Sequence, residues 1–308
     1  MLVKCWPNIA HWDTIAAASP AATFYHTRYW HDIVVSAYNE YKIATREFIF
    51  DDGAIAVLPC LSSTKKSLFK ERVRLKSAVF GTYGDIISNK PLTEEQRSQI
   101  YAYLKKLNIG ITIEGNPFSQ SGMTDFFERQ ECFTQIVNIK GDEAIIKKGF
   151  DVGAKRRLNQ ALKGGVIVRT IGSAEEVKVY YNIYLDCIKR WGQNTIFQYL
   201  EPIFHAIFNQ DSRFRKIWLE EKVGVIIGGV IVFYWNRIAC SWHNASLQTY
   251  FDCAPNNILQ MEIMKDAFKN NFLFYDLGIS GGKEGVVAFK KSLGAEMVEF
   301  ISGRSRGQ

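Results

Sequence analysis

The order helix, antiparallel strands, helix, strand runs through this chain twice, and that repetition constrains the fold more than any single motif. In the first pass a helix carries Tyr29, Trp30, Ile33 and Val34. Strand-like stretches follow at 43–50 and 54–61, joined by the turn Asp51-Asp52-Gly53, a hairpin signal. A glycine-punctuated loop comes next, Gly81-Thr82-Tyr83-Gly84-Asp85. Thr93-Glu94-Glu95-Gln96 has the form of a capping box, opening a helix with Ile100, Leu104 and Leu107 on one face. A strand at 109–113 closes the pass.

The second pass begins after a strand-like segment at 132–139 and a charged helical stretch at 142–163. Ser173-Ala174-Glu175-Glu176 is another capping-box pattern. Val177, Tyr180, Tyr181, Tyr184, Ile188 and Trp191 form the apolar stripe of its helix, so Tyr184 and Trp191 are expected in the core. Strands are predicted at 217–219, 223–234 and 238–242, where Gly228-Gly229 marks a bulge or a close backbone approach. A helix follows Pro255-Asn256-Asn257. A strand at 273–277 leads into Gly278-Ile279-Ser280-Gly281-Gly282, and a last helix carries Val286, Phe289 and Leu293 up to Gly294. A strand at 297–301 ends the pattern. The charged stretch places a boundary near 141/142, giving an N-terminal domain of 1–141 and a C-terminal domain of 142–308. Repeats of domain size exclude a solenoid.

The 308 residues and an apolar share of 47% allow a core for each half. The net charge of +7 provides a field that attracts phosphates, nucleic acid or an anionic surface. Basic side chains cluster at 65–76, 147–157 and 290–306. The nearest cysteines, Cys240 and Cys253, are 13 positions apart, so no zinc or redox spacing exists. The longest apolar run, 223–235, is shorter than the ~20 residues that span a bilayer. With no signal-peptide pattern at residues 1–12, a soluble, cytoplasmic protein is expected, with at most peripheral membrane contact.

Several chemistries lack their signatures. No Gly-x-Ser-x-Gly elbow or His-Glu-x-x-His motif occurs. The five histidines, His11, His26, His31, His205 and His243, lie in no metal spacing, and no metal is expected. The segment 278–283 fails as a P-loop, because its first glycine is misplaced and Glu284 stands where Ser or Thr would bind magnesium.

Four stretches together resemble the FemAB peptidyltransferases and their acetyltransferase-like (GNAT) relatives. Phe24-Tyr25-His26-Thr27-Arg28-Tyr29-Trp30 is similar to the family's early helix start. Phe80-Gly81-Thr82-Tyr83-Gly84-Asp85-Ile86-Ile87 is similar to its glycine loop. The run from Lys155-Arg156-Arg157 through Ala161 to Gly164-Gly165-Val166 is close to its basic helix. Tyr275-Asp276-Leu277-Gly278, Gly285 and Phe289-Lys290-Lys291-Ser292-Leu293-Gly294-Ala295 match its ending.

The resemblance implies an α/β (α+β) fold of two tandem GNAT-like domains, each a mixed, mostly antiparallel twisted sheet flanked by helices. It implies a bacterial-type acyltransferase moving an aminoacyl or acyl group onto an amine of a cell-wall or cell-surface precursor. The donor would be aminoacyl-tRNA, or else acyl-CoA with an amino sugar or lipid as acceptor, and no cofactor would be bound tightly. Partners would be tRNA and an anionic cell-wall or glycolipid precursor, with no DNA. A non-catalytic RNA-binding module is the reading outside enzymology. The GNAT pyrophosphate loop is not visible, and Asp252-Cys253-Ala254-Pro255-Asn256-Asn257 occupies the corresponding strand-to-helix junction. The family's basic residue one turn after the early Trp is replaced by Ile33 and Val34.

Aminolysis of an ester or thioester needs a neutral amine, a positioned carbonyl and charge stabilisation, but no enzyme nucleophile. Lys290, read as the start of the last helix, is the candidate for stabilising the oxyanion or a phosphate. Asp276 is a candidate base or a structural cap. Arg156 and Arg157 are candidates for clamping phosphate, or else line a solvated helix face. Tyr83 and Asp85 are candidates for orienting the acceptor amine, and His243 and Asn244 for contacting substrate. Phe289 is expected to pack.

Overall fold

The computed structural model describes residues 1–67, 70–119, 127–192 and 198–305. It divides the chain at a different place from the one the charge pattern suggests. Unit 1 holds Met1–Phe133 together with Glu299–Gln308, and unit 2 holds Thr134–Val298.

In unit 1, β1 (Leu2–Lys4), β3 (Arg46–Ile49), β4 (Ile55–Leu58) and β7 (Ile87–Ser88) form one antiparallel sheet. The helices α1 (Ile9–Ala18), α2 (Arg28–Ala37) and α3 (Glu94–Lys106) also belong here. A second sheet contains β2 (Tyr41–Ile43), β5 (Leu61–Ser67), β6 (Lys70–Lys76) and β8 (Gly110–Ile113). The stretches 43–50 and 54–61, each expected as one strand, are each divided between the two sheets. The cause is local: Pro59 has no N–H to continue the ladder, and the Cys60 amide turns to Thr45 Oγ1 at 3.1 Å. The turn after Phe50 forms as expected, with Gly53 at φ +80°. The Thr93–Gln96 capping box also closes, at 3.0 and 3.1 Å. Phe48, Leu58, Ile100, Leu104 and Ile113 lie in the core of this unit.

Strand β9 (Glu128–Asn138) carries the chain from unit 1 into unit 2. The helical stretch 142–163 is two helices, α4 (Glu143–Gly149) and α5 (Val152–Lys163), because Asp151 caps a new start through Ala154 N. Then come β10 (Val166–Thr170), α6 (Ala174–Trp191), α7 (Glu201–Phe208), β11 (Arg215–Lys222), β12 (Val225–Trp235), β13 (Ile238–Ser246), α8 (Pro255–Lys269), β14 (Phe274–Ile279) and α9 (Glu284–Ser292). Ser173 stands at the N-cap of α6 but makes no capping bond. Glu176 is held instead by Arg169 and by the Gly172 amide. Val223 and Gly224, the start of the apolar run, form the β11–β12 turn with positive φ at both, as two-residue hairpins require.

The sheet of unit 2 runs β10-β11-β12-β13-β14-β9, antiparallel except between β13 and β14. Helices α5 and α8 pack on it around Trp218, Val230, Val232, Leu259 and Ile263. The last strand, β15 (Glu296–Ser305), starts in unit 2 and pairs antiparallel with β8 in unit 1. A boundary at 141/142 therefore misses both crossings, since strand pairing and not composition decides which unit these segments complete.

Candidate active site

The parallel strands β13 and β14 pair only over Ile238–Phe274, Ala239–Tyr275 and Cys240–Asp276. Beyond that register β13 continues to Ser246 and β14 to Ile279. A bulge at Trp242 shifts the register of β13 on β12 just where the pairing with β14 stops. Bulges bend a strand and increase its twist, so β13 turns away from β14. The ladder between β13 and β14 thus ends at Cys240–Asp276.

Gly278 anchors the β14 side of this opening. It has φ +75°, and a Cβ there would approach Ser241 O at 3.0 Å, so glycine alone fits without strain. Its amide donates to Asp276 Oδ1 at 2.9 Å, and its carbonyl accepts from Lys290 Nζ at 2.6 Å. Asp276 also accepts from Thr134 Oγ1 at 2.6 Å. Lys290 is buried, and burial pushes its amine down to about 8, opposed by the Asp276 carboxylate. Lys290 lies in the last turn of α9, not at its start, because Lys283 is the N-cap. The family-like ending thus has a physical meaning. Asp276 and Lys290 hold the amide and the carbonyl of one residue, Gly278, in two successive peptide units at the strand opening, and both are buried with protein partners.

His243, one residue past the bulge, is enclosed by Tyr180, Tyr184, Tyr199, Phe204 and Trp242, with ring centroids 4.6–5.8 Å away. Its Nδ1 is hydrogen-bonded to the Tyr180 hydroxyl at 2.8 Å. Burial pushes its pKa down to about 3, so the ring is neutral near pH 7. Asn244 is exposed, and its Nδ2 donates to Asn256 Oδ1 at 3.0 Å. Asn256 Nδ2 in turn reaches Ser246 Oγ at 3.4 Å, and Ser246 donates to Glu220 Oε2 at 3.1 Å. Glu220, Gly228 and Ser246 face one another across three strands. A Cβ on Gly228 would collide with both Glu220 Oε2 and Ser246 Oγ. Gly228 thus marks a close approach, here between side chains. Glu220 is fully buried, and burial raises its carboxyl to about 8.

The junction before α8 offers few phosphate donors. Pro255, at the first helical position, has no N–H, and the Asn257 amide turns back to Ala254 O at 3.1 Å. Arg156 and Arg157 are exposed on α5. Gln160, one turn after Arg156, donates to the Asp252 carbonyl, which places that face of α5 beside the junction. Lys222 Nζ donates to Cys253 Sγ at 2.8 Å in the same place.

Tyr83 and Asp85 lie in unit 1 and are buried there. Tyr83 packs edge-on to Tyr25 and Phe300, and Asp85 Oδ1 accepts from the Ile86 amide. As placed, neither presents an open surface to an amine, because the glycine loop turns them into the core. Tyr184 is buried as expected, and Phe289 packs against the unit 2 core. Trp191 is only half-buried, under the Lys283 ammonium at 5.3 Å. Among the described residues no helix is long and apolar enough to cross a membrane. No cluster of three or more His, Cys, Asp or Glu able to hold a metal occurs among them either. Arg306 lies outside the described residues.

Sequence reasoning missed Tyr180, Glu220, Ser246 and Asn256. Tyr180 looks like an ordinary stripe residue, and Glu220 like one acid of an exposed strand. The glycine pair at 228–229 was the signal that something approaches β12 closely.

Residues 151–291 match the family model of the Acetyltransferase (GNAT) domain. The crystal structure of FemX is similar over 98% of this chain and 97% of its own, with TM-score 0.69 and 13% identity. The C-terminal domain of a putative lysylphosphatidylglycerol synthetase from Agrobacterium fabrum aligns over 97% and 92%, with TM-score 0.56 and 10% identity. A tandem GNAT protein from the clavulanic acid biosynthesis pathway aligns over 97% and 95%, with TM-score 0.55 and 10% identity. At such identities the likeness is one of fold, the tandem GNAT fold. No curated protein matches the chain in sequence.

Proposed function

Taking as premises a GNAT acetyltransferase domain over residues 151–291 and the fold of FemX along the chain, we propose that this protein is an N-acyltransferase. It moves an aminoacyl group from aminoacyl-tRNA onto an amine of a cell-wall or cell-surface precursor in the cytoplasm. The observation that carries this reading is the opening between β13 and β14 after Cys240–Asp276, with Gly278 clamped by Asp276 and Lys290.

The acceptor amine attacks the ester carbonyl carbon. A C–N bond forms, the C–O bond to the donor breaks, and the proton lost by nitrogen ends on the leaving oxygen, directly or through water. This reading assigns the developing oxyanion to the backbone of β13 where its ladder with β14 ends, since preorganised backbone donors lower such a barrier. Lys290 holds the opposite wall through Gly278, a positioning role. His243 at about 3 is too weak a base for neutral pH. It serves as a neutral hydrogen-bonding group beside Asn244. The choice of tRNA as donor rests on the α8 junction, where Pro255 and the occupied Asn257 amide leave little of the usual cradle for a coenzyme pyrophosphate.

Acyl-CoA transfer to an amino sugar or lipid is the second reading, favoured by the family model itself. The test is transfer of a radiolabelled group to a panel of amine acceptors, from charged total tRNA or from acetyl-CoA. Labelled product from tRNA alone is the expected result. Product from acetyl-CoA alone selects the second reading, and product from neither donor sinks the acyl-transfer proposal.

A further inference from the structure

Two of the basic clusters in the sequence meet in unit 1. Strands β6 and β8 pair in parallel with Arg74 opposite Gly110 and Lys76 opposite Thr112. Strand β15 pairs with β8 so that Arg304 also lies opposite Thr112. Side chains alternate along strands, so Arg74, Lys76, Thr112 and Arg304 share one face. Gly110 leaves that face bare, and a Cβ there would sit 3.3 Å from Arg74 Cγ, so the arginine stem lies across β8. Glu114 belongs to the same face, and its carboxylate accepts from Ser302 Oγ at 2.8 Å.

Lys76 therefore lies within electrostatic reach of two arginines and of one carboxylate, Glu114, that already has a hydrogen-bond donor. Burial, Arg74 and Arg304 all push the Lys76 amine down, with Glu114 opposing. Like charges gathered this closely on a half-buried sheet face destabilise the fold unless an anion joins them. Guanidinium forks match the paired oxygens of a phosphate, and a lysine between them adds a point charge. Thr112 stands between Lys76 and Arg304, with a hydroxyl able to donate.

We propose that Arg74, Lys76 and Arg304 form a binding site for a compact phosphate-type oxyanion on this face of unit 1. The site is independent of the acyl-transfer reading. Arg74 and Arg304 are exposed, so replacing them leaves the core intact.

The test is calorimetric titration of the full chain with inorganic pyrophosphate at low, constant ionic strength. The wild type is expected to bind. The double variant R74Q/R304Q is expected to bind at least about tenfold more weakly, from the loss of two charge-assisted contacts. Without ligand, the variant's Tm should be unchanged or higher, since repulsion is relieved. Lys106→Gln, exposed on α3 of the same unit, should bind like the wild type. Equal affinity in wild type and double variant, or no binding by the wild type, overturns the site. A single-stranded oligonucleotide that outcompetes pyrophosphate on the same residues overturns its assignment to a compact anion.

Discussion

Lys290 shows how a conspicuous basic residue can act through the backbone. Its amine is buried and tied to the Gly278 carbonyl, and burial lowers its pKa to about 8. Turnover is expected to fall as pH rises through about 8, because the clamp then loses its charge. Lys290→Met should lower turnover at least about tenfold and abolish that limb of the pH profile. Its melting temperature should stay close to wild type, since removing a buried charge offsets the lost hydrogen bond. An unchanged pH profile in the variant would assign the limb elsewhere. Glu220 makes the opposite kind of contribution. Its folded pKa, about 8, lies above the ordinary value, so the folded state holds the proton more tightly. The stability it contributes is full below the unfolded pKa and is lost as pH rises through about 8. Glu220→Gln should therefore raise Tm more at pH 8.5 than at pH 5, as read by calorimetry at the two pH values. An equal shift at both would refute the raised pKa.

Among elements, the β11–β12–β13 row is the most tightly specified. Glu220 and Ser246 meet over Gly228 because that position has no side chain. Gly228→Ala should destabilise by about 1–3 kcal/mol, the usual range for overpacking. In a Glu220→Ala background the loss should shrink, leaving the Ser246 hydroxyl at 2.6 Å and the Ala245 carbonyl at 3.0 Å from the new Cβ. A double-mutant cycle in chemical denaturation measures that coupling, and strict additivity would mean that the carboxyl is not what fills the space. The pairing of β13 with β14 is a second element-scale device. Three paired positions and one bulge hold the strands together at one end and let them diverge at the other.

For the whole molecule, the last strand is the informative segment. β15 leaves unit 2 and supplies Phe300, Ser302 and Arg304 to unit 1, where Ser302 Oγ accepts from the Gly115 amide at 3.2 Å. Removing residues 299–308 should lower the stability of unit 1 by about 3 kcal/mol or more, as losing a buried aromatic does. Hydrogen exchange would read the loss first in β8 and α3. Unchanged protection there would mean that unit 1 does not depend on its final strand.

Hydrophobic periodicity and turn chemistry are local properties, and they made most elements legible: the Thr93 box, the Gly53 turn, the capped helices and the doubled plan. The ending Tyr275–Gly278 with Phe289–Lys290 was legible as a motif, and with it the fold. The unit boundary was not, because β9 and β15 are completed by partners far away in sequence. Nor were Glu220 and Ser246, whose meeting depends on the register of three strands, or the meeting of Arg74 with Arg304, which depends on both flanking β8. Tyr83 and Asp85 point the same way: the glycine loop was visible, but which of its side chains turn inward was decided by tertiary packing. A sequence specifies what each segment prefers by itself, whereas the polar groups that come to share one site are chosen by non-local pairing, whose energy no local window contains.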